Sequence, residues 1–388
     1  MNTLFYLAVA MLAGLLMTRI TRLVKLPNVT AYLIAGVLIG PCVFKLVPEA
    51  ELNNFSIITE AALGFIAFSI GDQFKLSSLK ALGKSALIIT ALESLGAKCV
   101  YSNEWDKFAK EVYYNNFGDI PDDDITKVDE RLIPDHDILC AGFPCQAFSI
   151  SGKQRGFEDS RGTLFFDVAR IVKEKRPKIV FMENVKNFET HDYGKTLSVV
   201  STTMKQLGYR FYKKVLNAVD YGIPQKRERI YMVCFRNDVE INDFQFPLPV
   251  KLTNHVEDYL LQDKSLTKGL YVERPDIFYN DLEDNVYSNK PIRLGIVNKG
   301  GQGERIYSTK GIAVTFSAYG GGVFAKTGGY LVDGRPRKLH PRECARLMGY
   351  PDSYIISDKS SHAYQQFGNS VVVDVIQYIG IEIGKAII

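Results

Sequence analysis

The sequence predicts an α/β protein: a Rossmann-like, doubly wound parallel sheet with a small irregular domain, preceded by an apolar helical segment. Three observations carry this reading. From about residue 91, apolar runs of strand length alternate with amphipathic runs of helix length, which is the rhythm of βαβ units. Residues 257–339 break that rhythm and are rich in Gly and Tyr. Residues 1–90 hold few charges and long apolar runs, unlike anything after Glu93. The expected parts are therefore 1–88, 89–256 and 257–339, with 340–388 returning to the α/β domain.

A chain of 388 residues accommodates two or three domains, one with a sizeable core. Its net charge of +4 permits a nucleic-acid partner without requiring one. The six cysteines, at 42, 99, 140, 145, 234 and 344, include no CxxC pair. Neither a metal site nor a disulfide framework is indicated, which points to a reducing compartment.

In the N-terminal part, residues 1–18 and 26–44 contain no charged side chain, and a third apolar stretch covers 61–71. The first two are just long enough to cross a bilayer. A secretory signal with Ala8-Val9-Ala10 as cleavage site and a buried soluble helix are the alternatives. Arg19, Arg22 and Lys25 follow the first stretch and Lys75, Lys80 and Lys84 the third. Positive-inside bias then sets both clusters in the cytoplasm, with inner-membrane attachment through residues 1–72. The run Leu26-Pro27-Asn28-Val29-Thr30-Ala31-Tyr32-Leu33-Ile34-Ala35-Gly36 and the later Ala62-Leu63-Gly64-Phe65-Ile66-Ala67-Phe68 resemble the opening of Kef-type monovalent cation:proton antiporters. That likeness covers about eighty residues, too few for the many spans an ion path needs.

In the α/β part, strands are expected at 98–102, 137–140 and 178–182, and helices at 105–116, 162–173 and 195–207. Sites in such sheets lie beyond the carboxyl ends of strands. Directly after the second strand stands Ala141-Gly142-Phe143-Pro144-Cys145-Gln146-Ala147-Phe148-Ser149. Alone, a cysteine in such a loop is equally an inert core thiol. The third strand ends in Met182-Glu183-Asn184-Val185, bringing a carboxyl group to the neighbouring tip. Further on, Gln225-Lys226-Arg227-Glu228-Arg229-Ile230 sets two arginines on one side of a β-like segment.

In this order, the three motifs resemble those of the cytosine-5 DNA methyltransferases, and the likeness runs almost continuously from Ala91 to the last helix. It implies transfer of a methyl group from S-adenosylmethionine to C5 of a cytosine flipped out of double-stranded DNA, as in restriction–modification systems. It also implies that Cys145 is the nucleophile, that Glu183 holds the base at N3, and that Arg227 and Arg229 bind base oxygen and phosphate. Residues 149–162 resemble the family's flexible loop, with Ser151 positioned to fill the vacated space. Gly300-Gly301-Gln302-Gly303-Glu304-Arg305 and Thr315-Phe316-Ser317-Ala318-Tyr319-Gly320-Gly321-Gly322 resemble the DNA-reading loops of members that recognise GCGC. Gln302, Arg305, Thr315 and Tyr319 are the implied DNA contacts, with glycine-rich surface turns as the alternative. The implied assembly is a cytoplasmic monomer for this part.

For the cofactor, the resemblance supplies Glu104 for the ribose, Trp105 for the adenine, and Asp124, Ile125, Leu164, Asn369 and Ser370 as further contacts. The family also carries Phe-Ala-Gly-Leu-Gly-Gly about twenty residues before the ribose acid; here that place holds Leu82-Gly83-Lys84-Ser85-Ala86-Leu87. The strand before the turn is missing as well. A fusion joint near 88–90 follows, with cofactor binding and methyl transfer expected to be impaired. The competing expectations are a DNA-binding remnant that flips its base without methylating it, and a membrane-tethered fusion product.

Overall fold

The computed structural model describes residues 95–143, 164–280 and 286–387, with a few isolated positions before residue 95. The chain divides into units Met1–Leu76 and Ser77–Ile388, and the second holds all the elements below. Among the described residues no helix is long and apolar enough to cross a membrane; the expected spans lie almost wholly outside those residues.

Helix α1 (Lys107–Phe117) opens at Asp106, whose carboxylate accepts from the Phe108 and Ala109 amides at 3.0 and 2.8 Å. This cap starts the helix two residues later than the expected 105, so Trp105 stands outside it. Gly118, at φ +73°, closes it in a left-handed cap.

The strand expected at 98–102 is not formed. Only a single bridge, Asn103 to Asp122, is made there, flanked by Glu104 N donating to Asp122 O at 2.9 Å and Asp122 N to Ser102 O at 3.0 Å. A strand needs a ladder partner, and among the described residues none runs beside 98–101.

β1 (Ile138–Gly142), α2 (Leu164–Lys175) and β2 (Ile179–Val185) make a parallel βαβ unit, followed by α3 (Lys195–Gln206), β3 (Tyr209–Asn217) and β4 (Glu228–Arg236). The sheet order is β1-β2-β4-β3, and β4 runs antiparallel to both of its neighbours. The expected all-parallel sheet is thus corrected to a mixed one. The ten residues between Asn217 and Glu228 form a compact turn, too short for a parallel crossover, which takes a dozen or more.

Both faces of this sheet are covered, as the apolar run of β2 requires. Ile179 and Phe181 of β2 and Tyr231, Val233 and Phe235 of β4 enter one core cluster. The alternate residues Val180, Met182, Ile230, Met232 and Cys234 enter another, beneath α2 and α3.

The second sheet contains β5 (Ile277–Tyr279), β6 (Arg293–Val297), β7 (Arg305–Ser308), β8 (Gly329–Val332) and β9 (Arg335–Lys338), in that spatial order. All pairs are antiparallel except β7 with β8. The long connection between those two carries the second glycine-rich loop.

After β9 come α4 (Pro341–Arg346), α5 (Ser360–Asn369) and α6 (Val373–Ala386). A buried, two-pronged ion pair joins β9 to α4: Arg337 donates to both Glu343 oxygens at 2.7 and 2.8 Å. Helix α6 packs into the core of the first sheet, with Tyr378 against Tyr221 at a centroid distance of 5.7 Å.

Candidate active site

The site is built at the carboxyl ends of β1 and β2. Parallel pairing sets Glu183 opposite Gly142. Asn184 then ties the two tips together by donating from Nδ2 to the Phe143 carbonyl at 2.8 Å. Cys145 and Ser151 lie outside the described residues. Cys145 is nevertheless only three residues beyond Gly142, within about 10 Å of chain reach from the strand paired with Glu183.

Glu183 is wholly buried, and a buried carboxylate needs a charged or hydrogen-bonding partner. Arg229 supplies one. It stands on β4 two residues from Tyr231, the register partner of Glu183, so the two side chains share a face diagonally. Arg229 Nε lies 3.1 Å from Glu183 Oε1, with the arginine side chain 12% exposed. The cationic partner thus reaches solvent while the acid does not. The Tyr231 hydroxyl is pushed well above its ordinary range by burial and then by the Glu183 charge.

Arg227 is engaged differently from Arg229, although both are expected at base oxygen and phosphate. It precedes β4 rather than belonging to it. Its buried guanidinium donates to the carbonyls of Phe316 at 3.2 Å, Gly368 at 3.0 Å and Ser370. Desolvation, then the Arg229 charge, push it down to about 9, with Glu183 opposing. The group therefore remains a cation at neutral pH.

Of the residues expected at the cofactor, Glu104, Trp105 and Asn369 lie around the start of α1. The 103–122 bridge brings Glu104, 7% exposed, and Trp105, 43% exposed, beside the segment that carries Asp124 and Ile125. Glu104 Oε1 accepts from the Asp106 amide at 3.0 Å. Burial raises the Asp124 carboxyl, but hydrogen bonds from Thr126 and the Lys127 charge outweigh it and leave it below the usual range. Leu164 opens α2 and packs against the cluster beneath that helix. Asn369 borders a cleft between α1 and α5, lined also by Asp106, Phe108 and Gln366, and its Nδ2 is buried without a hydrogen-bond partner. Ser370 is 1% exposed and faces Tyr350, Oγ to hydroxyl, at 3.3 Å.

An acid for a diol, an exposed indole and an unsatisfied amide fit the nucleoside end of S-adenosylmethionine. Residues 82–87, where the methionine end requires glycines, lie outside the described residues, and their sequence does not fit it.

The two glycine-rich loops interlock. A Cβ on Gly303 would overlap the Gly321 carbonyl oxygen, and one on Gly322, itself at φ +100°, would stand 2.6 Å from the Gly303 oxygen. Phe324 N donates to Gly303 O at 2.8 Å. The glycines are therefore demanded by loop-on-loop contact as well as by turning. Gln302 occupies a single helical turn and Arg305 donates from Nε to Gly300 O at 3.1 Å. Thr315 Oγ1 donates to Lys226 O, tying the second loop to the segment before β4, and Gln365 Nε2 donates to the Tyr319 hydroxyl at 3.3 Å.

Arg170 escapes sequence reasoning altogether. It spans from α2 to the loop after Asp124, donating to the carbonyls of Val128 at 2.8 Å and Ile125 at 2.5 Å while pairing with Glu130 and Asp167. No local signal distinguishes it from other helical arginines, since its partners lie up to 45 residues away.

The family model for C-5 cytosine-specific DNA methylases matches residues 87–385. The chain is 67% identical over 297 residues to Type II methyltransferase M.HhaI of Haemophilus parahaemolyticus, covering 76% of this chain and 90% of that one. It is 43% identical over 286 residues to Type II methyltransferase M.SsoII of Shigella sonnei, covering 72% of each chain. Among solved structures, the S. pombe Dnmt2 methyltransferase matches with a TM-score of 0.58 at 19% identity, over 78% of this chain and 96% of that one. A Spodoptera frugiperda DNMT2 matches with a TM-score of 0.57 at 18% identity, over 75% and 94%. At such identities these two show a shared fold. The family match begins at residue 87, and none of these findings supports the antiporter likeness of the first eighty residues.

Proposed function

The chain belongs to the C-5 cytosine-specific DNA methylases, and from that premise we propose that its base-handling machinery is intact while its cofactor site is impaired. The observation that carries the first half is the buried Glu183–Arg229 pair, set beside the strand end that leads to Cys145.

Cytosine C5 is too weak a nucleophile to take a methyl group unaided. In this reading the Cys145 thiolate adds to C6, and Glu183 holds the ring at N3 and stabilises the charge that addition creates. Arg229, the partly exposed member of the pair, reaches the base oxygen and the backbone phosphate and favours the thiolate nearby. S-adenosylmethionine, when bound, supplies the methyl group; Glu104, Trp105, Asp124, Ile125, Leu164, Asn369 and Ser370 would hold its nucleoside portion. Loss of the C5 proton with elimination of Cys145 then frees the base.

The substrate is double-stranded DNA with its target base flipped out, Ser151 helping to fill the gap. The likeness to M.HhaI, together with the interlocked loops, supports GCGC as the sequence read, with the first cytosine as target. Gln302 supports the orphan guanine, Arg305 suits a guanine edge, and Thr315 and Tyr319 lie along the backbone. The proposed division is a catalytic part at 89–256 and 340–388, with a recognition part at 257–339.

A second reading, that of a DNA-binding remnant, is favoured by one observation: Leu82-Gly83-Lys84-Ser85-Ala86-Leu87 stands where the cofactor glycines belong. Cofactor-free exchange at C5 tests base handling by itself. Addition of Cys145 to C6 lets C5 take a solvent proton, and elimination then releases the original hydrogen. Tritium release from a GCGC duplex labelled at C5 is expected, and is expected to vanish in Cys145→Ser. Equal release by both proteins would overturn the assignment of Cys145.

A further inference from the structure

A guanidinium is a rigid fork with five donors, and when buried each donor needs an acceptor. Arg227 is 2% exposed, and its acceptors come from segments 89, 141 and 143 residues away. Phe316 belongs to the segment that runs into the second glycine loop. Gly368 and Ser370 flank Asn369 at the end of α5. Those two segments are themselves in close contact: a Cβ on Gly368 would overlap Ala318 N and lie 2.5 Å from its Cα. On its own strand side, Arg227 N donates to Asn217 Oδ1 at 3.0 Å, and two residues on Arg229 holds Glu183. These carbonyls take up three of the five donors of one buried cation, all on its two terminal nitrogens, while Nε is buried without a hydrogen-bond partner. They make a junction between three chain segments.

We propose that Arg227 is a positioning residue that clamps the recognition loop and the cofactor-side end of α5 to the strand bearing Arg229, so that duplex docking on the loop sets the Glu183–Arg229 pair. This rests on the proposed roles of residues 302–322 and 369–370 and goes beyond them by assigning Arg227 no contact with the base.

The test uses the full chain with Arg227→Lys, which keeps the charge but replaces the fork by a single point donor. In the absence of DNA, amides of 316–319 and 368–371 should exchange with solvent about tenfold faster, both segments together. Dissociation constants are then measured for a GCGC duplex and for the same duplex with an abasic site at the target. The clamp predicts about tenfold weakening on both duplexes, whereas Arg229→Lys should weaken the duplex that has the base more than the abasic one. Weakening confined to the base-containing duplex would show that Arg227 touches the base and would overturn the proposal. So would exchange unchanged in either segment, or a lowered melting temperature with dissociation constants unaltered. If Arg227→Lys fails to fold, Gly368→Ala pries the same segments apart while retaining the guanidinium, and is held to the same outcomes. Should the unmodified chain show no preference for GCGC, the proposed function fails by itself, and the exchange measurement still decides the clamp.

Discussion

Removing Arg229 separates a structural account of the buried pair from a catalytic one. Glu183 is fully buried and its partner only 12% exposed. Arg229→Ala therefore takes the ion-pair partner from a carboxylate buried inside the sheet, at a cost of about 3–5 kcal/mol. Glu183→Gln is milder, about 1–3 kcal/mol, because the remaining guanidinium reaches water. The double variant carries no stranded charge, so its cost should fall short of the two single costs combined by about 1.5–3 kcal/mol. Urea denaturation of the full chain in mild detergent, followed by circular dichroism, measures this cycle. In parallel, Glu183→Gln should slow C5 tritium release by about 10²–10⁴-fold. Single costs that add to within about 0.5 kcal/mol would refute the direct coupling on which the site is built.

Three further outcomes follow from the same geometry. Gly303→Ala drives a methyl into the Gly321 carbonyl; it should cost about 1–3 kcal/mol of stability and reduce discrimination of GCGC from a scrambled duplex at constant salt, and unchanged discrimination would contradict the interlock. Arg337→Ala strands the buried Glu343, so it should destabilise by about 3–5 kcal/mol, whereas Arg337→Met with Glu343→Leu should cost distinctly less. Desolvation, then the charges of Arg337 and Arg342, hold His340 below its ordinary 6.5, with Glu343 opposing. Its pKa is therefore lower folded than unfolded, so the unfolded chain takes up the proton first and stability falls as pH drops below about 6.5. His340→Asn, which retains a capping side chain, should lose less melting temperature between about pH 7 and pH 5.5 than the unmodified chain; equal losses would exclude His340 as the cause.

Where the chain's own period set the answer, the sequence was readable. The apolar run before Glu183 and the amphipathic runs that became α2 and α3 lie within two or three residues of their expected positions. The place of Glu183 beside the neighbouring strand tip was legible because an apolar run leading into Glu-Asn-Val is a local pattern. Where geometry depends on distant partners, it was not. The segment 98–102 has the composition of a strand, yet among the described residues the bridge nearest to it is at Asn103, just past its end. The direction of β4 was decided by a turn of ten residues, not by its apolar alternation. Spacing alone set Arg227 and Arg229 on one side, and it carried no sign that Arg227 is captured by carbonyls as far as 143 residues along the chain. The glycines at 303, 321 and 322 read as parts of DNA-reading loops, with surface turns as the alternative, while the contact between them is tertiary.

The central claim, intact base handling beside a replaced cofactor turn, is tested most directly by calorimetry of S-adenosylmethionine with the purified full chain. The comparison is a version in which a strand and Phe-Ala-Gly-Leu-Gly-Gly are restored ahead of Ala91. A side chain where the cofactor's methionine end requires bare backbone predicts affinity lower by orders of magnitude in the chain as it stands, with tight binding recovered on restoration. Equally tight binding by both proteins would contradict the account and show that residues 75–90 serve the cofactor after all.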